Sequence, residues 1–172
     1  MKIRSFLACL CLVLPLQALA TAPRISAEMF GAEKRQDIAA YLVDQQEMDL
    51  MAEIVAEAFR PSGLSPSVDA MPSRQLARYA LSSGDAPVLM GTAQDLPKKG
   101  DYRKIGFYIR PSGEAVFLIF GHGGRADRFY DAFESGLRRM LKSGKYAEIL
   151  GKHLKAHGDA AERVERLNPQ WK

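Results

Sequence analysis

Short apolar runs alternate with amphipathic helical segments along this chain, and the alternation restricts the folds that it can adopt. The clearest helical pattern places five large apolar residues on one face: Phe129, Phe133, Leu137, Met140 and Leu141. Helices with one apolar face must bury it, and strands that alternate with helices usually assemble into a sheet covered by them. The sequence therefore predicts an α/β fold, with a mixed sheet flanked by helices and closing helices at the C-terminal end.

The individual elements follow from the hydrophobic period and from the turn residues at their ends. The predicted strands cover residues 24–30, 38–43, 64–70, 86–91, 104–109 and 115–120. The predicted helices cover residues 47–59, residues 74–81, the stripe at 129–141, a segment that starts at Tyr146, and residues 159–167. Segment 38–43 fits a helical turn equally well, and residues 92–101 are predicted to form a polar loop.

The first 20 residues have the pattern of a secretory signal peptide. Lys2 and Arg4 supply the positive start, an apolar run follows, and Ala18-Leu19-Ala20 matches the small-x-small cleavage pattern. A membrane anchor is the alternative, but about 14 apolar residues interrupted by Pro15 are short against the roughly 20 that span a bilayer. We therefore expect a periplasmic protein in which residues 21–172 form a single domain.

Composition narrows the classes of protein that the exported chain can belong to. Both cysteines, Cys9 and Cys11, lie in the predicted leader, so the exported chain would have no disulfide, no thiolate metal site and no cysteine nucleophile. Without Lys2 and Arg4 the chain has 22 basic and 20 acidic residues, and the two signs are interspersed. Nucleic acid is therefore not an expected partner, and no later segment has membrane-spanning length.

Two segments resemble the periplasmic solute-binding proteins of the amino-acid type, the extracellular solute-binding family 3. The first covers residues 48–91 and includes the Met71-Pro72-Ser73-Arg74 junction and the sequence Leu81-Ser-Ser-Gly84-Asp85 before an apolar strand. The second covers residues 129–153, with Gly144-Lys-Tyr146 and Ile149-Leu150-Gly-Lys-His153. Together they span roughly half of the chain that follows the predicted leader.

The resemblance implies a non-catalytic binding module without a cofactor. Family members clamp a ligand between two α/β lobes for transport, but too few residues separate the two segments here for a complete second lobe. A single lobe implies an open face that binds a small solute or a partner protein, with a homodimer as one way to close it. We favour partner recognition, because an open face binds small solutes weakly.

Candidate ligand-binding residues come from the resemblance and from predicted helix starts. The family's amino-acid binders follow the third strand with a Thr and, several residues on, an Arg that binds the ligand carboxylate. Thr92 matches the Thr, but the next Arg is Arg103. Ser73 and Arg74 open a predicted helix at the carboxyl end of a strand, where α/β sheets bind ligands, although Ser73 also suits a helix cap. Phe30 would line the same crevice or belong to the core.

A glycine loop after the last predicted strand is a further candidate. Gly121-His122-Gly123-Gly124-Arg125 can hold an anion through backbone N–H groups at a helix start, with Gly123 and Arg125 as contacts, or it is an ordinary turn. His153 and His157 have metal-compatible spacing but no third ligand nearby, so a structural role is favoured and no metal is expected.

Two alternatives to a binding module stay open. A small periplasmic hydrolase would use His122 with two convergent carboxylates, although the sequence contains no Gly-x-Ser-x-Gly, His-Glu-x-x-His or Ser-x-x-Lys motif. A structural, envelope-associated protein would expose a broad apolar patch.

Overall fold

The computed structural model describes residues 36–41, 44–98, 100–155 and 158–171. The predicted signal peptide, the predicted strand at 24–30 and the candidate residue Phe30 lie outside these residues, and so does His157. The structure therefore does not test the predictions made for these residues.

The first half of the described chain alternates strictly between strands and helices. Strand β1 (Ile38–Ala40) is followed by α1 (Gln45–Phe59), β2 (Val68–Ala70), α2 (Arg74–Ser83) and β3 (Val88–Thr92). The second half begins with the antiparallel pair β4 (Arg103–Ile109) and β5 (Ala115–Phe120) and ends with α3 (Gly124–Ser143), α4 (Lys145–His153) and α5 (Ala160–Leu167).

The five strands form one open mixed sheet in the order β2-β1-β3-β5-β4. Strands β1, β2 and β3 are parallel, whereas β5 runs antiparallel to both β3 and β4. Thr92 at the end of β3 pairs with Val116 at the start of β5, so the loop between β4 and β5 lies at the carboxyl edge of the parallel strands. The loop after β5, which contains the glycines, lies at the opposite edge.

The strand order places helices on both faces of the sheet. The chain moves from β1 to β2 in one direction and then returns over β1 to β3, and crossovers of the same hand put α1 and α2 on opposite faces. Ile38 and Ala40 accordingly belong to the large core under α1, α3, α4 and α5, whereas Ala39 belongs to the smaller core under α2. This period of two is the pattern expected of a strand buried on both faces.

Helices α1 and α3 approach each other unusually closely at one point. A Cβ atom on Gly136 would lie 1.7 Å from the carbonyl oxygen of Ala58, so only glycine fits at this position of α3. The contact lets Phe133 on α3 reach Phe59 on α1, with ring centroids 5.4 Å apart. These rings belong to the large core, which the close approach therefore helps to pack.

The structure confirms the predicted α/β class with a mixed sheet, and it shifts several element boundaries. Both β1 and β2 are only three residues long. Strand β1 is therefore shorter than predicted, and β2 covers only the last part of the predicted segment 64–70. The prediction that residues 92–101 form a polar loop is wrong at its start. Thr92 completes β3, and Ala93–Asp95 forms a 3-10 turn in which Asp95 is buried.

Candidate functional site

The carboxyl edge of the parallel strands contains a point where the strand order reverses. The chain leaves β1 toward β2, but it leaves β3 toward β5 and β4 on the other side. In open α/β sheets, the diverging connections at such a point leave a crevice outside the strand ends, and ligands bind there. The described residues bordering this point include Tyr41 after β1, Met71 after β2 and Thr92 at the end of β3.

Ser73 caps helix α2 at this edge. Its backbone is extended, and its side-chain oxygen accepts a hydrogen bond from the Leu76 N–H at 3.2 Å. The predicted cap is therefore confirmed. The cap fixes the first turn of α2 and with it the position of the adjacent Arg74.

Thr92 and Asp95 form a buried capping box directly after β3. Asp95 Oδ2 accepts hydrogen bonds from the Thr92 N–H at 2.8 Å and from the Thr92 hydroxyl at 3.1 Å. Asp95 is only 5% exposed, and a Cβ atom on Gly91 would lie 2.8 Å from its Oδ2. A glycine at position 91 is thus required for the carboxylate to fold back onto the strand end.

Arg74 is held over this buried carboxylate. Its Nε atom lies 3.2 Å from Asp95 Oδ1, and its Nη1 donates to Gln94 Oε1 at 3.0 Å. Because the contact between Arg74 Nε and Asp95 Oδ1 lacks hydrogen-bond geometry, Asp95 Oδ1 is buried without a hydrogen bond. The Arg74 side chain is 44% exposed, and Nη2 has no partner among the residues that the structure describes.

This arrangement gives the edge a positioned cation with free donors. A guanidinium held by a carboxylate at Nε presents its remaining N–H groups in a fixed plane, and that plane matches a carboxylate or phosphate. Because the supporting carboxylate is buried, the pair loses little further conformational freedom when a ligand binds. The chemistry available here is recognition of an anionic group.

Ser73, Arg74 and Thr92 were predicted from the sequence as candidate ligand-binding residues, whereas Gln94 and Asp95 were not. Both missed residues lie about 20 positions after Arg74, and nothing in the local pattern joins the two segments. One signal was present: the Thr-x-x-Asp spacing of residues 92 and 95 resembles a capping box and indicates a short helical turn.

The other described candidates, Arg103, Gly123 and Arg125, lie at the opposite edge of the sheet. Arg103 begins β4, and Gly123 caps α3 with a φ of 101°, so both are far along the strands from Thr92. Arg125 pairs with Asp37, and Arg103 pairs with Asp127 while its guanidinium lies 3.9 Å from the centre of the Tyr130 ring. The candidate residues that the structure describes therefore form two groups that cannot contact one small ligand together.

The two histidines that the structure describes, His122 and His153, lie in different surroundings. His122 is exposed, its ring centroid is 5.7 Å from that of Tyr102, and it has no hydrogen bond to a carboxylate within the described ranges. His153 contacts Glu53, with Nε2 and Oε2 2.8 Å apart. In the part of the chain that the structure covers, no three His, Cys, Asp or Glu side chains are grouped closely enough to hold a metal ion.

Among the described residues, no helix has the length and apolar character that crossing a membrane requires. No protein-family model matches the chain, and neither a curated protein nor a solved structure does.

Proposed function

We propose that the protein is an exported, non-catalytic binding module of the periplasmic solute-binding type, reduced to a single lobe. It recognises an anionic group of a partner protein or small solute at the carboxyl edge of its sheet. The observation that carries the proposal is the Arg74–Asp95 pair, because it holds a guanidinium at the point where the strand order reverses.

Two further features support this function. A mixed sheet with helices on both faces is the architecture that the resemblance implies for one lobe. Arg74 and Thr92, which the resemblance marks as ligand candidates, border the same buried carboxylate. The resemblance and the geometry thus favour the same edge of the sheet.

The single lobe favours a partner protein over a small solute. A two-lobed protein encloses a small ligand and gains contact area on closure, whereas Arg74 is 44% exposed on an open edge. A partner protein that presents a carboxylate can cover this edge and exclude water from the guanidinium. A second copy of the chain would also close it.

The test is calorimetric titration of the purified protein with amino acids, organic acids and polyamines, together with capture of periplasmic proteins by the immobilised protein. The variant Arg74→Gln removes the cation, and Arg166→Gln is the matched control on α5, where the described ion-pair partners of Arg166 are the exposed carboxylates Asp159 and Glu162. We expect a captured partner whose affinity falls about tenfold in Arg74→Gln and is unchanged in the control.

Two results would contradict the proposal. A solute that binds the monomer with micromolar or tighter affinity, and that loses this affinity in Arg74→Gln, would overturn the preference for a partner protein. Equal binding by wild type and Arg74→Gln would show that Arg74 is not part of the binding site.

A further inference from the structure

Two surface cavities meet at Tyr108, on the face of the sheet that carries most of the helices. The larger is a groove of about 570 Å³ between the start of α1, the end of α4 and the loop after β4. The smaller, of about 230 Å³, lies between that loop and the segment that begins α5. The two cavities share four lining residues: Tyr108, Arg110, Pro111 and Leu154.

A β-bulge in β4 directs Tyr108 toward these cavities. The register of β4 against β5 shifts between Gly106 and Tyr108, so Phe107 and Tyr108 both contribute to the large core instead of alternating between faces. Bulges of this kind commonly re-aim a side chain beside a functional site. Tyr108 is only 3% exposed, and its hydroxyl has no hydrogen-bond partner within the described segments.

The groove carries an excess of negative charge. Arg110 is held by Glu47, with Nε–Oε1 and Nη2–Oε2 distances of 2.7 and 2.9 Å, and also by Glu114. Lys152 and His153 both contact Glu53. The carboxylates of the groove and of these ion pairs are Asp44, Glu47, Asp49, Glu53 and Glu114. Of these five, Asp44, Glu47 and Asp49 line the groove, and against the two lining cations Arg110 and Lys152 they leave a net charge of −1 with His153 neutral.

The charges of these carboxylates act on the Tyr108 hydroxyl. Burial raises the pKa of Tyr108, and the charges of Glu47 and Asp44 raise it further, whereas the charge of Arg110 lowers it. The phenol therefore stays neutral at physiological pH, and its oxygen is an acceptor beside two negative groups. Asp44 still has an oxygen available, because only its Oδ1 accepts from the first turn of α1.

We propose that this groove is a second ligand site, distinct from the Arg74–Asp95 site, which binds a small aliphatic ammonium ion. The ammonium group lies between the Tyr108 hydroxyl and the carboxylates of Asp44 and Glu47. The methylene chain lies against Pro111 and Leu154. An apolar wall beside a negatively charged floor suits a cation with a hydrocarbon body, and it disfavours an anion of the same shape.

The test uses 1,5-diaminopentane as the probe and glutarate, an anion with a comparable hydrocarbon chain, as its counterpart. Tyr108→Phe removes only the hydroxyl. Asp44→Asn removes a charge but keeps a good helix cap, so both variants should fold, which circular dichroism checks. Tyr102→Phe, at the opposite edge of the sheet, is the control. We expect saturable binding of the diamine, weakened about tenfold by each of the first two changes and unaffected by the control.

A third probe is lysine blocked at both its amino and carboxyl termini, which represents a lysine side chain of another protein. Stronger binding of the diamine would indicate a free amine as the ligand, and stronger binding of the blocked lysine would indicate a protein side chain. Either result supports the site. The proposal is overturned if the folded protein shows no saturable diamine binding, if glutarate binds as tightly, or if Tyr108→Phe binds the diamine like wild type. None of these results depends on Arg74, so the two proposals fail independently.

Discussion

The side-chain amide of Asn168 completes the hydrogen bonding of Gly106 at the free edge of β4. Asn168 Nδ2 donates to the Gly106 carbonyl oxygen at 2.8 Å, and Oδ1 accepts from the Gly106 N–H at 2.9 Å. The same Nδ2 donates to the Val164 carbonyl oxygen of α5 at 2.8 Å. One side chain, 1% exposed, thus joins the last helix to the edge of the sheet and occupies backbone groups that another strand would otherwise pair with.

Replacing Asn168 with Ala should lower the free energy of unfolding by about 2–4 kcal/mol, because it leaves the buried N–H and C=O of Gly106 without partners. Urea unfolding followed by circular dichroism measures the change. Glu165→Ala, an exposed change on the same helix, is the control and should stay within about 0.5 kcal/mol of wild type. Equal stability of Asn168→Ala and wild type would show that the edge does not need this side chain.

Replacing Gly136 with Ala should destabilise the protein strongly, by about 2–3 kcal/mol or more. The new methyl group would collide with the Ala58 carbonyl, and α1 and α3 would have to separate. Gly124→Ala is the matched control, because a Cβ atom there has no neighbour within 4 Å and the position lies in a helix. Thermal unfolding of the two variants side by side checks the prediction, which a similar Tm for both would contradict.

The two members of the Arg74–Asp95 pair should differ in their effect on stability. Asp95→Ala removes two buried hydrogen bonds to Thr92 and should cost about 2–4 kcal/mol. Arg74→Gln should change the free energy of unfolding by less than about 1 kcal/mol, because the Arg74 side chain is 44% exposed and water screens its charge. Chemical denaturation distinguishes them. A large destabilisation in Arg74→Gln would mean that the arginine is structural rather than available to a ligand.

The stability of the protein should decrease in alkali through Tyr146. Its hydroxyl donates to the Phe107 carbonyl oxygen at 2.8 Å, and burial raises the pKa of Tyr146 well above its ordinary value of 10.0. Because the folded state favours the protonated phenol, its contribution is complete below pH 10.0 and is lost as the pH rises through the folded pKa.

The corresponding measurement compares unfolding of wild type and Tyr146→Phe across this pH range. The stability advantage of wild type should shrink above pH 10.0, whereas Tyr79→Phe, on the exposed face of α2, should follow wild type throughout. An advantage that is constant with pH would contradict a buried, protonated Tyr146.

Local patterns were sufficient for most of the fold. The apolar stripe from Phe129 to Leu141 predicted α3, and Ser73 predicted the start of α2, because both signals depend on residues within a few positions of each other. The boundaries of β1 and β2 were less accurate, since strands of three residues show little periodicity. The strand order itself depends on pairing between distant segments and could not be read from one sequence.

In the candidate site, too, local patterns predicted some residues and long-range contacts determined the others. Arg74 was identified from its place after a strand, but its partner Asp95 was assigned to a polar loop, because burial of a carboxylate depends on contacts that the local sequence does not contain. Tyr108 was missed because a regular β4 would have turned it to the other face. Gly106 was a signal of the bulge that redirects it, because an isolated glycine within a strand often marks a bulge, but this signal was not used.

The contact between Gly106 and Asn168 also affects how the chain reaches its native state. The two residues are 62 positions apart, so the loop between them must close before the contact contributes any free energy, and such contacts form late. Until then β4 exposes unsatisfied backbone groups beside the apolar residues Ile105 and Phe107. During refolding at high protein concentration, association through this strand should therefore compete with the docking of α5.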